Sequence, residues 1–355
     1  MRPPVSPPQA AKDPSVQALR GLAVLLMVAG HVIGHDPSRG LQAGDGSALR
    51  WAYMLLDDVR MPFFTVLSGW VYALRPVGPG SDLALFHRKK VRRLLVPFVT
   101  VGVLLLLVQL AVPGTNVDPT WRSAALAFVY GIEHLWFLQA IFLVFLVVSA
   151  IDGFGLARRP ARWWPLVGAM FVAAAVVSVP MPYAVFSING AIWLLPFFLT
   201  GVGLRRWGVL AAPGWPIRLA LAAGLLVTIA VPPALAAGGL TLPRPADRAL
   251  SLAVGLVGVC ALYAWRRVLQ AAWLVRLGGY SYGIYLFHVF GAAGSRIVLM
   301  RAGVESVPVL FVCGMIAAVL LPIALEVSLG RVPLIATLFF GRAPSAARRP
   351  VPRTA

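Results

Sequence analysis

Apolar stretches about 20 residues long recur along this chain of 355 residues, and no other feature limits its possible folds as strongly. A helix of about 20 residues can cross the hydrocarbon core of a bilayer. Hydrophobic residues make up 59% of the chain and charged residues only 12%, a composition that excludes a water-soluble domain of this length. The sequence therefore predicts an all-α, polytopic membrane protein with about ten transmembrane helices, at 17–35, 54–74, 92–112, 134–151, 163–180, 189–204, 217–237, 246–265, 277–298 and 307–329.

The segments outside these stretches predict the domain limits. The proline-rich residues 1–15 and the basic residues 342–355 are expected to be disordered tails around one transmembrane domain at 16–341. The first stretch lacks a small-residue cleavage site after it, so it is interpreted as a retained span. Segment 121–133 is also apolar, which leaves an amphipathic or a re-entrant piece open there. The short apolar segment 331–341 is placed at the membrane interface.

The basic residues predict the orientation of the chain. Of the 31 Lys and Arg residues, 22 fall in the tails and in alternate loops on one side, and seven fall on the other side. Basic loops stay in the cytoplasm, so both termini are expected in the cytoplasm of a protein of the plasma membrane. Because the net charge of +19 lies in these short loops, a nucleic-acid partner is not expected.

The first stretch contains a basic residue and a histidine on one helical face. Arg20 and His31 are eleven residues apart, which is about 1100° of rotation and about 16 Å of rise. His35 is predicted one turn further on the same face. An ionisable side chain inside a membrane is costly, and its presence indicates a function.

A second histidine is predicted at the same depth. His288 lies twelve residues after Arg276 in the ninth stretch, which also begins at the cytoplasmic side. Ser281, Tyr285 and His288 are spaced i, i+4 and i+7, so they share one face. We therefore expect His31 and His288, with Ser281 and Tyr285, to line one buried cavity.

A group of polar residues falls on the other side of the two histidines. Carboxylates at membrane depth are costly unless they are paired, so Arg60 is expected to pair with one of them. These residues are assigned to acceptor binding; an interfacial aromatic belt and a surface ion pair are the alternatives. The group is Asp57, Asp58, Arg60, Glu133, His134 and Trp136.

Six motifs in order make the chain similar to a known family. They are Arg20-Gly21-Leu22 with His31, MPFFTVLSGW (61–70), RKKVRRLLVP (88–97), HLWFL (134–138), PFFLTGVGLRR (196–206) and YSYGIYLFH (280–288). The chain resembles the acyltransferase 3 family of integral membrane acyltransferases over about 15–330. Members acylate hydroxyl groups of bacterial surface polymers, glycolipids and some secondary metabolites. Arg60 departs from the family pattern, in which a histidine or an apolar residue is expected before the MPFF stretch.

The resemblance implies an O-acyltransferase of the stand-alone type. It implies that acyl-CoA, most simply acetyl-CoA, is the donor substrate from the cytoplasm, with no permanently bound cofactor, and that a sugar or glycolipid is the acceptor. His31 and Arg20 are the implied catalytic residues. Cations suit the phosphates of CoA, and the donor-binding residues are expected to be Arg88, Lys90, Arg92, Arg93 and Ser68.

The residues also leave alternatives open. His31 can act as a general base on the acceptor hydroxyl or carry the acyl group itself. A transporter or flippase for a lipid-linked sugar would use His31, His288 and Glu133 as a proton relay, and a non-catalytic scaffold is a third possibility. Cys260 and Cys313 lie in apolar stretches, so neither a disulfide nor a metal site is expected.

Overall fold

The computed structural model describes residues 13–343 except 37, 45 and 118, and the regular elements of this part of the chain are all helices. The predicted tails lie almost wholly outside the described residues. The thirteen α-helices are α1 Pro14–Ile33, α2 Ala48–Tyr72, α3 Leu83–Lys90, α4 Val96–Ala111, α5 Trp121–Tyr130, α6 Trp136–Gly153, α7 Pro160–Val176, α8 Ile188–Arg206, α9 Trp215–Ala237, α10 Arg244–Ala264, α11 Ala272–Arg301, α12 Val307–Ser328 and α13 Pro333–Phe340.

Eight helical stretches in the described residues are long and apolar enough to cross a membrane. They match eight of the ten predicted spans, with α3 and α4 forming one stretch over Leu83–Ala111. The other two predicted spans are α2, which carries several charged residues, and α7, which has 17 residues. The chain is thus an all-helical, polytopic membrane protein, while the count of ten and the orientation stay predictions.

Helix α1 begins earlier and ends earlier than the sequence predicts. The Asp13 side chain accepts a hydrogen bond from the Ser15 backbone N–H at 2.9 Å, and Pro14 is a favoured first helical residue. At the other end, Gly34 has φ of 96°, which stops the helix after Ile33. His35 is therefore in the following loop, and its predicted place on the face of Arg20 and His31 is wrong.

Helices α1 and α11 run in the same direction and approach very closely. The Cα of Gly21 faces the backbone carbonyl of Leu274, and Gly278 faces that of Gln17, so that a Cβ at either glycine would overlap backbone atoms. Small residues allow this approach between membrane helices. The contact aligns the face of α1 that carries Arg20 and His31 with the face of α11 that carries Ser281 and His288.

A π-helix, Val91–Leu95, joins α3 to α4 within the RKKVRR motif. Pro97 has no backbone N–H, so the Arg93 carbonyl loses the partner it would have in an α-helix. The Tyr282 hydroxyl of α11 donates to that carbonyl instead. The extra residue of the π-turn and the bond from Tyr282 fix the directions of the basic side chains that follow α3.

Segment 121–133 forms the short helix α5 and a turn. At ten residues, α5 rises about 15 Å, too little to cross a bilayer. It ends at Gly131, and a 3₁₀ turn, Glu133–Leu135, leads into α6. The predicted apolar segment after α12 contains α13, which packs against α4.

Candidate active site

Helix α1 places Arg20 and His31 at two different cavities. His31 lies in the last turn of α1, and its side chain is exposed to the cavity that it lines. Arg20 is half-buried and lines a second cavity nearer the start of the helix. Its guanidinium donates to the Ser281 hydroxyl at 2.9 Å and to the Gln17 amide oxygen at 3.3 Å.

Three imidazole rings form a cluster, which we call the histidine cluster: His31, His134 and His288. The ring centroids are 4.9 Å apart for His31 and His288, 4.7 Å for His134 and His288, and 5.9 Å for His31 and His134. His288 lies close to His31, as their matched depths predict. His134, which the sequence places with the outer polar group, belongs to this cluster instead.

The elements that hold the cluster are α1, α11 and the turn before α6. The Nε2 of His134 is 3.3 Å from the Leu286 carbonyl oxygen, and the Tyr285 hydroxyl donates to the His134 carbonyl at 2.8 Å. These two bonds fix the turn to α11. Glu133, next to His134, has φ of 40°, a left-handed conformation that is strained for a residue with a side chain and is often found at functional sites.

The first cavity, which we call the histidine cavity, has a volume of about 250 Å³ and is lined by His31, His134 and the loop after α1. Arg39 and Glu133 both line it and form an ion pair of 3.0 Å. Apolar side chains of α4 and α11 complete its walls.

The loop at the mouth of the histidine cavity is charged. His35 also lines the cavity, and its Nε2 lies 2.7 Å from the carboxylate of Asp36. A hydrogen bond from Ser38 holds the pKa of that carboxyl below its ordinary value, so Asp36 is ionised at neutral pH. The mouth thus combines charge of both signs with the apolar walls behind it.

The second cavity, which we call the basic cavity, has a volume of about 380 Å³. Four cationic side chains line it, together with Ser68, aromatic rings and leucines. The Lys90 ammonium lies 3.6 Å from the centroid of the Phe145 ring. The cations are Arg20, Arg75, Lys90 and Arg93.

Arg93 is the most constrained of these cations. Its guanidinium carbon lies 3.8 Å from the centroid of the Tyr282 ring, and it donates to the Phe340 carbonyl at 2.6 Å. The carbonyl groups at the end of a helix attract a cation, so α13 holds Arg93 in place. The basic cavity therefore has at least one cation whose position is set by the fold.

Two of the predicted donor-binding residues do not line the basic cavity. Arg88 is exposed on α3, and Arg92 points elsewhere from the π-helix. Arg75, which the sequence analysis used only for orientation, lines the cavity instead. Of the predicted donor-binding residues, Lys90, Arg93 and Ser68 thus line the basic cavity.

The prediction of one shared cavity is also corrected. Ser281 and Tyr285 line the basic cavity, whereas His31 lines the histidine cavity. The Tyr285 ring packs against the rings of His134 and Phe137, with centroids 5.6 Å and 5.8 Å apart. Tyr285 and the histidine cluster thus separate the two cavities.

The outer polar group divides in the structure. Arg60 pairs with Asp57, as expected, and stacks 4.2 Å from the Tyr53 ring centroid. Asp58 accepts a hydrogen bond from Ser251 of α10. These three predicted residues and Trp136 line neither cavity, so of the predicted acceptor group only Glu133 and His134 remain at the histidine cavity.

The sequence reasoning missed Arg39 and Arg296 at the histidine cavity. Arg296 is buried and donates to the Gly114 carbonyl at 2.9 Å. The charge pattern of the sequence places both among the seven basic residues of the opposite loops, although each lies eight residues after a histidine of the cluster. Within the described residues, no group of three or more His, Cys, Asp and Glu side chains has the arrangement of a metal site.

Comparison with known proteins agrees with these features. The family model described as an acyltransferase domain matches residues 13–327. The chain is also similar to the acyltransferase MdmB of Streptomyces mycarofaciens, with 27% identity over 320 residues and coverage of 79% of each chain. No solved structure matches the chain.

Proposed function

The chain belongs to the acyltransferase domain family, and we propose that it transfers an acyl group, most simply acetyl, from acyl-CoA to a hydroxyl group of a sugar, a glycolipid or a related acceptor. One observation carries this proposal. A single helix, α1, presents Arg20 to a cation-lined cavity and His31 to a second cavity of different character. An anionic donor and a neutral alcohol need such different sites.

The basic cavity suits the donor. The diphosphate and 3′-phosphate of CoA are anions, and charge-assisted bonds from guanidinium and ammonium groups hold phosphate strongly. Arg20, Lys90 and Arg93 supply these groups, while Phe64, Leu67 and other apolar side chains line the remaining wall. We place the phosphates at the cations and the thioester end beside Tyr285.

His31 suits the chemical step. The neutral imidazole of a histidine has a nitrogen lone pair that can take the proton of an alcohol. We propose that His31 accepts this proton while the alcohol oxygen attacks the thioester carbonyl carbon. The ester C–O bond forms, the C–S bond breaks, and the imidazolium returns the proton to the departing sulfur, which leaves as the CoA thiol.

The histidine cavity suits the acceptor. Glu133 and Arg39 provide a fixed acceptor and a fixed donor, and Asn116 adds an amide, as hydroxyl groups of a sugar require. The apolar residues of the same cavity suit a ring face or a lipid portion of the acceptor. For the acyl group to reach this side, the Tyr285 side chain has to turn away from His134.

The bilayer gives the two cavities different sources of substrate. With the basic loops in the cytoplasm, the basic cavity opens toward cytoplasmic acyl-CoA and the histidine cavity toward the other side of the plasma membrane. Both termini then lie in the cytoplasm.

An assay of CoA release tests the proposal. The purified chain in lipid nanodiscs receives acetyl-CoA and longer acyl-CoAs, with a glycolipid extract of cells that lack the chain, and free thiol is measured. Mass spectrometry of the extract identifies the new ester. We expect release of CoA that depends on the extract. Movement of a lipid-linked sugar without thioester consumption would support a flippase and contradict the proposal.

A further inference from the structure

Each of the two buried members of the histidine cluster, His134 and His288, leaves one ring nitrogen without a hydrogen-bond partner in the described residues. We propose that these two nitrogens are hydrogen-bond acceptors that position His31: its single N–H is directed at this pair, and its other nitrogen is left free to take the alcohol proton. His134 and His288 are then positioning residues. The proposal rests on the proposed function, because it takes His31 as the general base.

The backbone of α11 fixes the tautomer of His288, whose side chain is completely buried. Its Nδ1 lies 2.9 Å from the Tyr285 carbonyl oxygen and 3.1 Å from that of Ile284. A carbonyl oxygen can only accept, so Nδ1 carries the proton of the neutral ring. The other nitrogen, Nε2, is then an acceptor, and it is the nitrogen without a partner.

In His134 the proton is on the other ring nitrogen. Its Nε2 lies 3.3 Å from the Leu286 carbonyl oxygen, so Nε2 carries the proton. The acceptor is Nδ1, which is buried and unpartnered. The chain therefore presents two acceptor nitrogens, one from α11 and one from the turn before α6, in one cluster of three rings.

His31 is the neighbour that can satisfy these nitrogens. Its ring centroid is 4.9 Å from that of His288 and 5.9 Å from that of His134. A neutral imidazole donates one hydrogen bond and an imidazolium donates two. A buried acceptor without a donor is unfavourable, so these two acceptors favour the orientation of neutral His31 in which its N–H points to them. A rotation of the His31 ring brings that N–H to them and turns its other nitrogen to the substrate.

In the described residues, no carboxylate pairs with His31 to orient its ring. Glu133 is paired with Arg39, Asp57 is paired with Arg60, and neither forms an ion pair with His31. The charged and titratable groups around His31 are His134, His288, Arg60 (which lies against Gly30), His35, Arg39, Glu133 and Arg296. The orienting group of this general base is thus a pair of neutral imidazoles.

The tautomers can be measured without any acceptor substrate. The chain has five histidines, so ¹⁵N-histidine labelling in lipid bilayers gives a solid-state NMR spectrum that single variants can assign. We expect His288 with its proton on Nδ1, His134 with its proton on Nε2, and His31 as a single neutral tautomer at neutral pH. His288 protonated on Nε2 would overturn the proposal.

Asparagine and glutamine variants separate positioning from packing. The amide of Gln reaches the place of Nε2, and the amide of Asn reaches the place of Nδ1. His288→Gln should therefore keep the single tautomer of His31 and most activity, while His288→Asn should give a tautomer mixture and a kcat lower by about 10- to 100-fold with KM unchanged. At His134 the pattern should reverse. His134→Asn should keep the single tautomer of His31 and most activity, whereas His134→Gln should give a tautomer mixture and a lower kcat.

Residue His87, which contacts Ser149 at the end of α3, is the control, and His87→Gln should leave the His31 signals and kcat unchanged. A purely structural role would make Asn and Gln equally harmful at both positions, and this result would overturn the proposal. The proposed function fails separately: if His31→Ala keeps full activity, His31 is not the base, whatever the tautomers of its neighbours are.

Discussion

The Arg20 guanidinium and the Ser281 hydroxyl form a 2.9 Å hydrogen bond that joins α1 to α11 at the wall of the basic cavity. Ser281 is buried, so the bond fixes the direction in which Arg20 presents its positive charge. The two helices that meet at this bond also meet at His31 and His288, about three turns further along α1 and about two turns further along α11. The wall of the basic cavity and the histidine cluster thus share one helix interface.

Removal of either partner of this bond should weaken use of the donor. We expect Arg20→Ala to raise the KM for acyl-CoA by about 10- to 100-fold, because a charged contact is lost. Ser281→Ala should raise it by only about three- to tenfold, since the cation remains but is less well held. Steady-state kinetics with varied acyl-CoA measures both. An equal KM in Arg20→Ala and wild type would mean that Arg20 serves only the membrane orientation.

The cations that line the basic cavity lead to a second prediction. Lys90 lines the basic cavity and Arg88 does not. Lys90→Ala should raise the dissociation constant for acyl-CoA by about tenfold, while Arg88→Ala should leave it within about twofold. Calorimetric titration of the protein in nanodiscs measures both. A similar loss of affinity in both variants would agree with the assignment made from the sequence, and a loss in Arg88→Ala alone would contradict donor binding in the basic cavity.

The close approach of α1 and α11 predicts an effect on stability. A Cβ at Gly21 would overlap the Leu274 carbonyl, so Gly21→Ala forces the two helices apart and should destabilise the fold by about 1–3 kcal/mol. Gly168 of α7 has no atoms near the place of its Cβ, and Gly168→Ala is the matched control. The midpoint of thermal unfolding in detergent should fall only for Gly21→Ala. An unchanged midpoint would contradict the packing described for α1 and α11.

The histidine cavity predicts a defect in acceptor use alone. Glu133→Gln removes the charge that pairs with Arg39, and it should lower kcat/KM for the acceptor while the affinity for acyl-CoA stays the same. Asp57→Asn is the matched control, because Asp57 is outside both cavities. Loss of acyl-CoA binding in Glu133→Gln would mean that donor and acceptor share one cavity.

The helices and the pairing of His31 with His288 could be predicted from the sequence, because apolar length and depth from a basic end carry that information. The place of His134 could not, since it depends on a turn in which Glu133 has a positive φ. The direction of Arg92 could not either. A π-helix adds a residue to the turn, and the rotation of 100° per residue that places side chains on α-helical faces no longer holds.

The separation of the two cavities could not be predicted from the sequence either. Tyr285 and His288 share a face of α11, as their spacing predicts, but Tyr285 packs on His134 from another part of the chain. Only the packing between α11 and the turn before α6 determines that one residue lines the basic cavity while its neighbour one turn away contacts His31.

In the proposed function, His31 acts on the acceptor while acyl-CoA is held by other residues. Single-turnover acyl transfer and acyl-CoA affinity, both measured on His31→Ala and on wild type in nanodiscs, test it most directly. We expect a rate lower by about 10²- to 10⁴-fold in the variant, with the dissociation constant of acyl-CoA within about twofold of wild type. A rate above about a tenth of wild type, in a variant that binds acyl-CoA normally, would contradict it.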